Sequence, residues 1–369
     1  MSTIVQVVAD GKPGGGTTAV LGLSRMLLEA HHTVHLIGEP DSYLLEEAAK
    51  IGASPHPMRF GSRLRTPIIS RQMAVLINRI APEVVHAHGA RAGLPLALAF
   101  RQRWVANRPR LAYTVHGFHY LAKPYPLKVL GRLAEGMCIS GADWTNFVSD
   151  ADQQTAKSEG LLRGAHTTTT IKNAVDVPTG LSDIPKSHDI GFLGRLMPQK
   201  NPLMLVDILK AMRPMTPTLS VIGGGDLSGA LQQGFEQAGL STQVTLLGSC
   251  GRDAALAHLA ACRVLVLPSL WEGHPITLIE AMHLGVPVVA SDIPGNDEIV
   301  VDGKSGFLVP VRDAGAYAQR INLLLQDDDL RQQMGEHSRH VAATEYAPHR
   351  VLREHLTHYG MEATGTAIA

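Results

Sequence analysis

Short apolar runs and helical stretches alternate along the whole chain, and this alternation restricts the fold more than any other feature of the sequence. The chain opens with a β-branched run at residues 4–8, a glycine-rich loop at 11–16, a helical pattern and a second apolar run at 33–37. This order predicts a βαβ unit whose loop lies at the carboxyl end of the first strand. Continued alternation predicts an α/β fold, with parallel sheets covered by helices on both faces.

The same alternation restarts after residue 180. Further strands are predicted at residues 84–87, 111–115, 144–148, 189–193, 219–222, 244–247, 264–267 and 286–290. Pro, Gly, Ser and Asp cluster at residues 179–187, which indicates a boundary. Since 369 residues are too many for one typical core, we predict Rossmann-like domains at 1–180 and 181–350. A helix is predicted at 348–359. We predict that the segment 351–369 is a C-terminal helix and tail, and it could cross back to the N-terminal domain.

The charge balance argues against a nucleic-acid-binding protein. Lys plus Arg and Asp plus Glu both number 33, so the net charge is zero with His neutral. Residues 1–180 contain 19 Lys or Arg and 13 Asp or Glu, against 14 and 20 in the remainder. A basic N-terminal half suits an anionic partner or membrane surface, but attraction between the two halves explains the asymmetry equally well.

Cysteine usage and the N-terminus indicate the compartment. Cys138, Cys250 and Cys262 are odd in number and form no C-x-x-C pair, which argues against a disulfide framework and a cysteine-based zinc site. No basic leader precedes the first strand, and no run of about 18 apolar residues occurs. We therefore expect a cytoplasmic protein without a transmembrane helix, with peripheral association at the inner face of the cell membrane as an alternative.

Two carboxylates eight residues apart mark the strongest candidate site. Glu272 is expected in the loop after a predicted strand, and Glu280 in the first turns of the next helix. The free N–H groups of a helix N-terminus suit a phosphate, and carboxylates accept hydrogen bonds from sugar hydroxyls. The pair therefore indicates a ligand with diphosphate and polyhydroxyl parts. The alternative is structural, because Thr277-x-x-Glu280 is also a capping-box pattern in which Glu280 would cap its own helix.

Loops after other predicted strands carry further candidates. Arg195 and Lys200 stand where they could clamp a diphosphate and stabilise a leaving phosphate, although ordinary surface charge is an alternative. The glycines at 14–16 permit close approach of the backbone but match neither the P-loop nor G-x-G-x-x-G. Loops that contain Gly223 and Gly248 suit a base or ribose pocket as well as plain turns.

Histidines end two strands of the first half. His88, His116 and His119 stand at positions that suit hydrogen bonding to a substrate, with a structural role as the alternative. No H-E-x-x-H pattern indicates a metal.

Taken in chain order, these motifs resemble the retaining glycosyltransferases of family 4. The matching segments are residues 14–16, 85–88, 114–117, 171–176, 194–201, 223–226, 244–248, 272–282, 285–292 and 298–309. The resemblance covers nearly the whole chain and is strongest between residues 191 and 307. It implies the GT-B fold, in which two Rossmann-like, doubly wound domains face each other across a cleft, with the acceptor bound by the N-terminal domain and the nucleotide sugar by the C-terminal domain.

The resemblance also implies roles for individual residues. Arg195 and Lys200 would hold the donor diphosphate, and Glu280 the ribose hydroxyls. Glu272 would lie beside the donor sugar and His116 would approach the transferred sugar, so the catalytic set is His116, Glu272, Arg195 and Lys200. The remaining donor contacts fall to Gly15, Gly16, Gly223, Gly248, Gly273, His274, Ile276 and Thr277, and acceptor contacts to His88 and His119. No metal ligand is implied.

One loop departs from the family pattern. The usual Glu-Gly-Phe-Gly is replaced by Glu272-Gly273-His274-Pro275. Pro275 removes an N–H where glycine is common, which changes the amides available to the donor sugar. The spacing between the two carboxylates is unchanged.

The implied activity is metal-independent hexosyl transfer from a nucleoside diphosphate sugar to an acceptor hydroxyl, with retention of configuration and no cofactor. The expected role is in cell-surface polysaccharide, lipopolysaccharide or glycolipid synthesis. The alternatives are a GT-B-type sugar-nucleotide epimerase and a non-catalytic sugar-nucleotide-binding subunit. Expected partners are the donor, a glycan or lipid-linked acceptor and an anionic membrane surface, but no nucleic acid. Candidate membrane-binding charge comes from Arg59, Arg63, Arg65, Arg71, Arg101, Arg103, Arg108 and Arg110.

Overall fold

The computed structural model describes residues 1–361, which form alternating strands and helices. The strands are β1 (Thr3–Val8), β2 (Thr33–Gly38), β3 (Ser54–Pro57), β4 (Val84–His88), β5 (Arg110–Val115), β6 (Trp144–Phe147), β7 (Thr167–Thr170), β8 (His188–Leu193), β9 (Leu219–Ile222), β10 (Val244–Gly248), β11 (Cys262–Leu267), β12 (Val288–Ser291) and β13 (Gly306–Val309). The helices are α1 (Gly15–Glu29), α2 (Tyr43–Lys50), α3 (Thr66–Ile80), α4 (Ala90–Arg101), α5 (Leu127–Gly141), α6 (Asp150–Ser158), α7 (Met204–Ala211), α8 (Ser228–Gln237), α9 (Arg252–Ala260), α10 (Ile276–Leu284), α11 (Ala314–Gln326), α12 (Asp328–Glu345) and α13 (Pro348–Tyr359).

The chain divides into two compact units. Among the described residues, unit 1 contains Met1–Ala174 together with residues 348–361, and unit 2 is Val175–Ala347. The first junction therefore lies six residues before the boundary expected at 180. The helix predicted at 348–359 is present as α13, and it belongs to unit 1. The rest of the predicted tail, residues 362–369, lies outside the described residues.

Unit 1 is built on a seven-stranded parallel sheet in the order β3-β2-β1-β4-β5-β6-β7. Alternate residues of β1 point to opposite faces, as the pleat of a strand requires. Val5 and Val7 join the core beneath α3, α4 and α5, whereas Ile4 and Val8 join the core beneath α1, α2 and α13. Both faces are therefore covered, which explains why the central strands are almost continuously apolar.

Helix α13 is amphipathic and closes one face of this sheet. Its buried side chains are Val351, Leu352, His355, Leu356 and Tyr359. These positions recur at the three- to four-residue spacing of one helix face. The helix packs beside α1, which follows the N-terminal glycine loop.

Unit 2 is built on a six-stranded parallel sheet in the order β10-β9-β8-β11-β12-β13. The chain proceeds outward from β8 to β10 and then returns to the other side of β8 with β11. The loops after β8 and β11 therefore diverge at the carboxyl edge, which is the switch point where doubly wound sheets bind ligands. The corresponding switch point of unit 1 lies between β1 and β4.

The sequence predicts the central strands and misses three at sheet edges. β3 contains Pro55 and Pro57, β7 consists of four threonines, and β13 is only four residues long. Each of the three is an outermost strand of its sheet. β3 and β7 are partly exposed, and edge strands of this kind tolerate proline and polar residues, so their apolar signal is weak. β13 is buried at three of its four residues, so this reason does not apply to it.

Two further features bear on the cellular setting. Cys138, Cys250 and Cys262 are free thiols. Across residues 1–361, no helix combines the length and the apolar character that crossing a membrane requires.

Candidate active site

An ion pair links the two loops at the switch point of unit 2. Lys200 follows β8 and Glu272 follows β11, and the Lys200 Nζ lies 2.6 Å from the Glu272 Oε1. Both side chains are largely buried. The Gln199 carboxamide donates hydrogen bonds to the Trp271 carbonyl at 3.0 Å and to the Glu272 Oε2 at 3.4 Å. The backbone N–H of Leu270 donates to the Gln199 carbonyl at 2.8 Å, so the two loops are joined at several points.

Glu280 lies in the second turn of α10, where it is buried against Arg252. The Arg252 Nη2 lies 3.3 Å from the Glu280 Oε1 and donates to the Asp176 carbonyl at 2.7 Å. Burial raises the pKa of Glu280 to about 7, although the charges of Arg252 and Lys200 act in the opposite direction. Lys200, which is paired with Glu272, is also close enough to Glu280 to lower its pKa.

The capping alternative for Glu280 is wrong. Helix α10 begins at Ile276 with Pro275 as its N-cap residue. Thr277 is thus the second helical residue and cannot provide the N-cap hydroxyl that a capping box needs. The carboxylate pairs instead with Arg252, on the first residue of α9.

Arg252 and Gln199 are site residues that the sequence analysis did not identify. Arg252 is a cation at a helix N-terminus, where a positive charge is unfavourable for the helix dipole. A cation at such an unfavourable position is a sequence signal from which a role for Arg252 in the site could have been predicted. Gln199 is uncharged and gives no comparable signal, because its role depends on loops more than 70 residues apart.

The His274 side chain is buried beside α12 and its C-terminal residues. Its ring lies 5.6 Å from that of Tyr346 between centroids. Its contact with the donor stays a prediction. Pro275 has no N–H, and the Leu278 N–H already donates to the Pro275 carbonyl at 3.1 Å. Ile276 and Thr277 provide the first helical N–H groups of α10, at positions predicted to bind the donor.

Glycines allow the loops after β8, β9 and β10 to lie in contact. A Cβ atom on Gly223, whose φ is +135°, would lie 2.0 Å from the Gly194 carbonyl oxygen. The Gly223 N–H donates to the Gly248 carbonyl at 2.9 Å. Arg195, half-buried in the β8 loop, is therefore part of one continuous edge that also contains Gly223 and Gly248. A similar approach joins the β11 and β12 loops, because a Cβ atom on Gly295 would lie 2.2 Å from the Gly273 carbonyl oxygen.

In unit 1, histidines form a buried hydrogen-bonded network. The His86 Nε2 lies 2.7 Å from the Thr114 Oγ1, and its Nδ1 lies 2.6 Å from the Tyr359 hydroxyl. The Gln6 carboxamide connects this tyrosine to His88, whose Nε2 lies 2.6 Å from the Gln6 Oε1. The network thus joins β1, β4, β5 and α13.

His116 is attached to the end of this network. Its Nε2 lies 3.0 Å from the His88 Nδ1. Burial, with smaller contributions from His119 and His355, lowers the pKa of His116 to about 4. Because the Gln6 oxygen can only accept, the neutral His88 carries its proton on Nε2 and accepts from the N–H of His116. Both ring nitrogens of His88 are thereby engaged within the unit, which favours positioning of His116 over direct acceptor binding.

The remaining predicted residues of unit 1 lie at the same carboxyl edge. His119 is exposed and begins a short 3-10 helix, His119–Ala122. Gly15 and Gly16 are the first two residues of α1. A Cβ atom on Gly16 would meet nothing within 4 Å, so internal packing does not demand glycine there. Space for a ligand next to the backbone is consistent with the predicted role.

Residues 1–361 contain no group of three His, Cys, Asp or Glu side chains arranged to hold a metal ion. Independence from metal stays a prediction.

Comparison with known families identifies both halves of the chain. The family model described as Glycosyltransferase Family 4 matches residues 13–178. The model described as Glycosyl transferases group 1 matches residues 182–341.

Individual relatives are similar over most of their length. Phosphatidyl-myo-inositol mannosyltransferase of Mycolicibacterium smegmatis is 28% identical over 344 residues, which are 86% of this chain and 83% of the relative. UDP-Gal:alpha-D-GlcNAc-diphosphoundecaprenol alpha-1,3-galactosyltransferase of Escherichia coli is 28% identical over 273 residues, which are 69% and 68% of the two chains.

Solved structures share the fold over nearly the whole chain. Anabaena HepE in complex with UDP and glucose superimposes with a TM-score of 0.83 at 21% identity, covering 98% of this chain and 100% of that one. Sucrose-phosphate synthase of Thermosynechococcus elongatus gives a TM-score of 0.82 at 19% identity, covering 98% of both chains. From the two family matches and this shared GT-B fold, the protein belongs to the family 4, group 1 glycosyltransferases.

Proposed function

We propose that this glycosyltransferase moves a hexosyl group from a nucleoside diphosphate sugar to the hydroxyl of a lipid-linked glycan or glycolipid, with retention of configuration. Two observations on relatives support the donor and acceptor classes. The Escherichia coli relative is named for a UDP-sugar donor and a diphosphoundecaprenol-linked acceptor, and the mycobacterial relative for phosphatidyl-myo-inositol. The HepE structures hold UDP with glucose, or UDP-glucose.

The paired charges at the unit 2 switch point carry the proposal. Lys200 has three N–H donors, and Glu272 takes one of them at 2.6 Å, which leaves others for phosphate oxygens. Arg195 lies in the same loop, and the first amides of α10 point from a helix N-terminus. Together these groups would stabilise the negative charge on the departing diphosphate without a metal ion.

Glu280 and His116 are proposed to bind the two sugars of the donor. An ionised carboxylate accepts hydrogen bonds from vicinal hydroxyls, so Glu280 beside Arg252 suits the ribose. His116, kept neutral and oriented by His88, is proposed to contact the transferred sugar from unit 1.

Retention is proposed to occur by front-face attack. Glu272 is held by Lys200, and Glu280 is buried against Arg252, so neither carboxylate is arranged as the nucleophile of a double displacement. The leaving phosphate oxygen would accept the proton of the acceptor hydroxyl as the new glycosidic bond forms.

The first test is a thermal-shift panel of uridine, guanosine, adenosine and thymidine diphosphate sugars, because a ligand of the native state raises its melting temperature. Any donor that binds is then incubated with a short-chain polyprenyl-diphosphate sugar, with and without EDTA. We expect an EDTA-insensitive product whose anomeric configuration, read by NMR, matches the donor.

Other outcomes identify the alternatives. Isomerised sugar nucleotide formed without acceptor indicates an epimerase. Binding without turnover of any donor indicates a binding subunit. A product with inverted configuration contradicts retention. Transfer that EDTA abolishes contradicts metal independence.

A further inference from the structure

Exposed apolar side chains are concentrated in one short segment of unit 1. Among the described residues, seven of the 17 large apolar side chains that are exposed fall between residues 121 and 137. They are Leu121, Tyr125, Leu127, Val129, Leu130, Leu133 and Met137, and we refer to them as the α5 face. Single exposed apolar residues are ordinary, but a contiguous set marks an interaction site.

Helix α5 is apolar on its outward side as well as on its inward side. Inside, Ala134, Cys138 and Ile139 are buried in the core shared with α4. Outside, Leu130 and Leu133 are each more than half exposed, and Met137 continues the same stripe one turn later. A surface helix of a water-soluble domain normally presents polar residues outward. Packing within unit 1 therefore does not explain the outward leucines.

The exposed charge around this face is positive. Residues 117–137 contain Lys123, Lys128 and Arg132, and Glu135 is the only acidic residue of this segment. Arg132 is paired with Glu159, with 3.0 Å between Nε and Oε2, so the uncompensated charge comes from the two lysines. Glu135 is buried and accepts a hydrogen bond from the Tyr113 hydroxyl at 2.6 Å, so it does not neutralise the surface. Leucines flanked by lysines are complementary to a bilayer with anionic headgroups.

The N-terminal end of the α5 face packs next to the His116 loop. The 3-10 helix that begins at His119 leads directly into α5, and a Cβ atom on Gly131 would lie 2.3 Å from the Tyr120 Cβ. Tyr120 packs in turn against Phe118, with ring centroids 5.6 Å apart. The N-terminal end of the face therefore lies at the same carboxyl edge of the sheet as His116, and the face continues along α5 to Met137 towards the amino edge.

The arginines expected to bind a membrane lie at two opposite edges of this sheet. Arg59 and Arg65 follow β3 and so lie at the carboxyl edge, where Leu64 is 92% exposed. Arg101 ends α4 and Arg110 begins β5, which places them at the amino edge. Arg101, Arg103 and Arg108 line one pocket with Met137, so this second group adjoins the C-terminal end of the α5 face.

We propose that the α5 face inserts into the headgroup region of an anionic bilayer. This docking would hold the His116 edge at the depth where the hydroxyl of a lipid-linked acceptor emerges, and in this respect it rests on the proposed acceptor class. Apolar insertion supplies most of the affinity, and Lys123 and Lys128 add attraction to anionic lipid that salt weakens.

The test is co-sedimentation of the full chain with phosphatidylcholine vesicles that contain phosphatidylglycerol, with pure phosphatidylcholine vesicles for comparison. Leu130→Glu/Leu133→Glu should reduce binding to the anionic vesicles at least about tenfold, since it removes two inserting side chains and adds repulsion. The matched control is Leu323→Glu on α11 of unit 2, whose side chain is also exposed and which should bind as the parent does. Lys123→Gln/Lys128→Gln should reduce the salt dependence of binding.

Several results would overturn the proposal. They are absence of binding by the parent chain, equal binding to both vesicle types, and unchanged binding by the double leucine variant. A dimer in light scattering that the double leucine variant dissociates would assign the face to a second copy instead. Sugar-nucleotide thermal shifts measured on the same variants show whether the donor site is intact, so failure of membrane docking is distinguishable from failure of the proposed transferase activity.

Discussion

Glu280 is a carboxyl group whose ionisation is held in balance by its surroundings. Burial disfavours the charged form, and the guanidinium of Arg252 at 3.3 Å favours it. The resulting pKa of about 7 means that small changes around neutral pH alter the hydrogen-bonding capacity of this residue. A protonated carboxyl donates one hydrogen bond, whereas the ionised group only accepts.

This balance predicts a pH-dependent affinity for the donor. As pH rises from about 6 to about 8, Glu280 loses its proton and becomes a better acceptor for ribose hydroxyls, so affinity should rise by up to about tenfold. Glu280→Gln should remove this dependence, and the exposed Glu236→Gln on α8 should preserve it. Isothermal titration of a sugar nucleotide at each pH provides the measurement. An unchanged pH profile in Glu280→Gln would show that another group is responsible.

The residue types of the site could be predicted, but their partners could not. Glu272, Glu280, Arg195 and Lys200 were identifiable because each is a charged residue at a strand end or helix start. Arg252 escaped because its partner is 28 positions away and on another helix. The links of His86 and Gln6 to Tyr359 span most of the chain, since α13 returns to unit 1 only after unit 2 is complete.

The buried histidines predict a loss of stability in acid. Burial lowers the pKa of His355 to about 4, below the 6.5 of an exposed histidine, so the unfolded chain binds more protons between these values. Stability conferred by keeping this ring neutral is complete above pH 6.5 and is lost as pH falls through about 4. The slope is about 1.4 kcal/mol per pH unit for one histidine.

His355→Phe should therefore lose less stability between pH 7 and pH 5 than the parent does, by about 2 kcal/mol. Urea unfolding at the two pH values measures the difference. His349→Phe is the matched control, because His349 is exposed on the same helix and should leave the slope unchanged. Identical losses in the parent and in His355→Phe would mean that His355 is not the titrating group.

The loops of unit 2 depend on glycine for a steric reason. The β9 loop passes so close to the β8 loop that Gly223 and Gly225 have no room for a side chain. Because Arg195 and Lys200 lie in the β8 loop, this contact positions the cations as well as the backbone. Sequence inspection could identify these glycines only as turn residues, since their close neighbours come from other loops.

Gly223→Ala should disturb both the fold and donor binding. The added Cβ atom would lie 2.0 Å from the Gly194 carbonyl oxygen, at a φ of +135° that L-residues rarely adopt. We expect a loss of about 2 kcal/mol or more in unfolding free energy and a reduced thermal shift with sugar nucleotides. Gly229→Ala provides the contrast, because a Cβ atom there meets nothing within 4 Å in α8. It should be neutral or stabilising by up to about 1 kcal/mol. Equal behaviour of the two variants in melting experiments would contradict the steric argument.

The two doubly wound units could be predicted as wholes because parallel sheets covered on both faces leave a strong sequence signal. The ten predicted strands are all present, and the GT-B fold is confirmed. Three edge strands and the junction at Ala174 could not be predicted from the sequence. At β3 and β7 burial is partial, and at the junction the chain continues without the Gly and Pro cluster that marks residues 179–187.

At the scale of the molecule, cations at the switch point of unit 2 are proposed to stabilise the leaving diphosphate. Turnover of the donor identified by thermal shift, compared between the parent and Arg195→Ala, tests this role. The matched control is Lys210→Ala, because Lys210 is an exposed cation on α7 of the same unit, paired with Asp207 at 3.5 Å. We predict a fall in kcat of about 100-fold or more for Arg195→Ala and no fall for Lys210→Ala. Near-parental turnover by a folded Arg195→Ala protein would contradict the account.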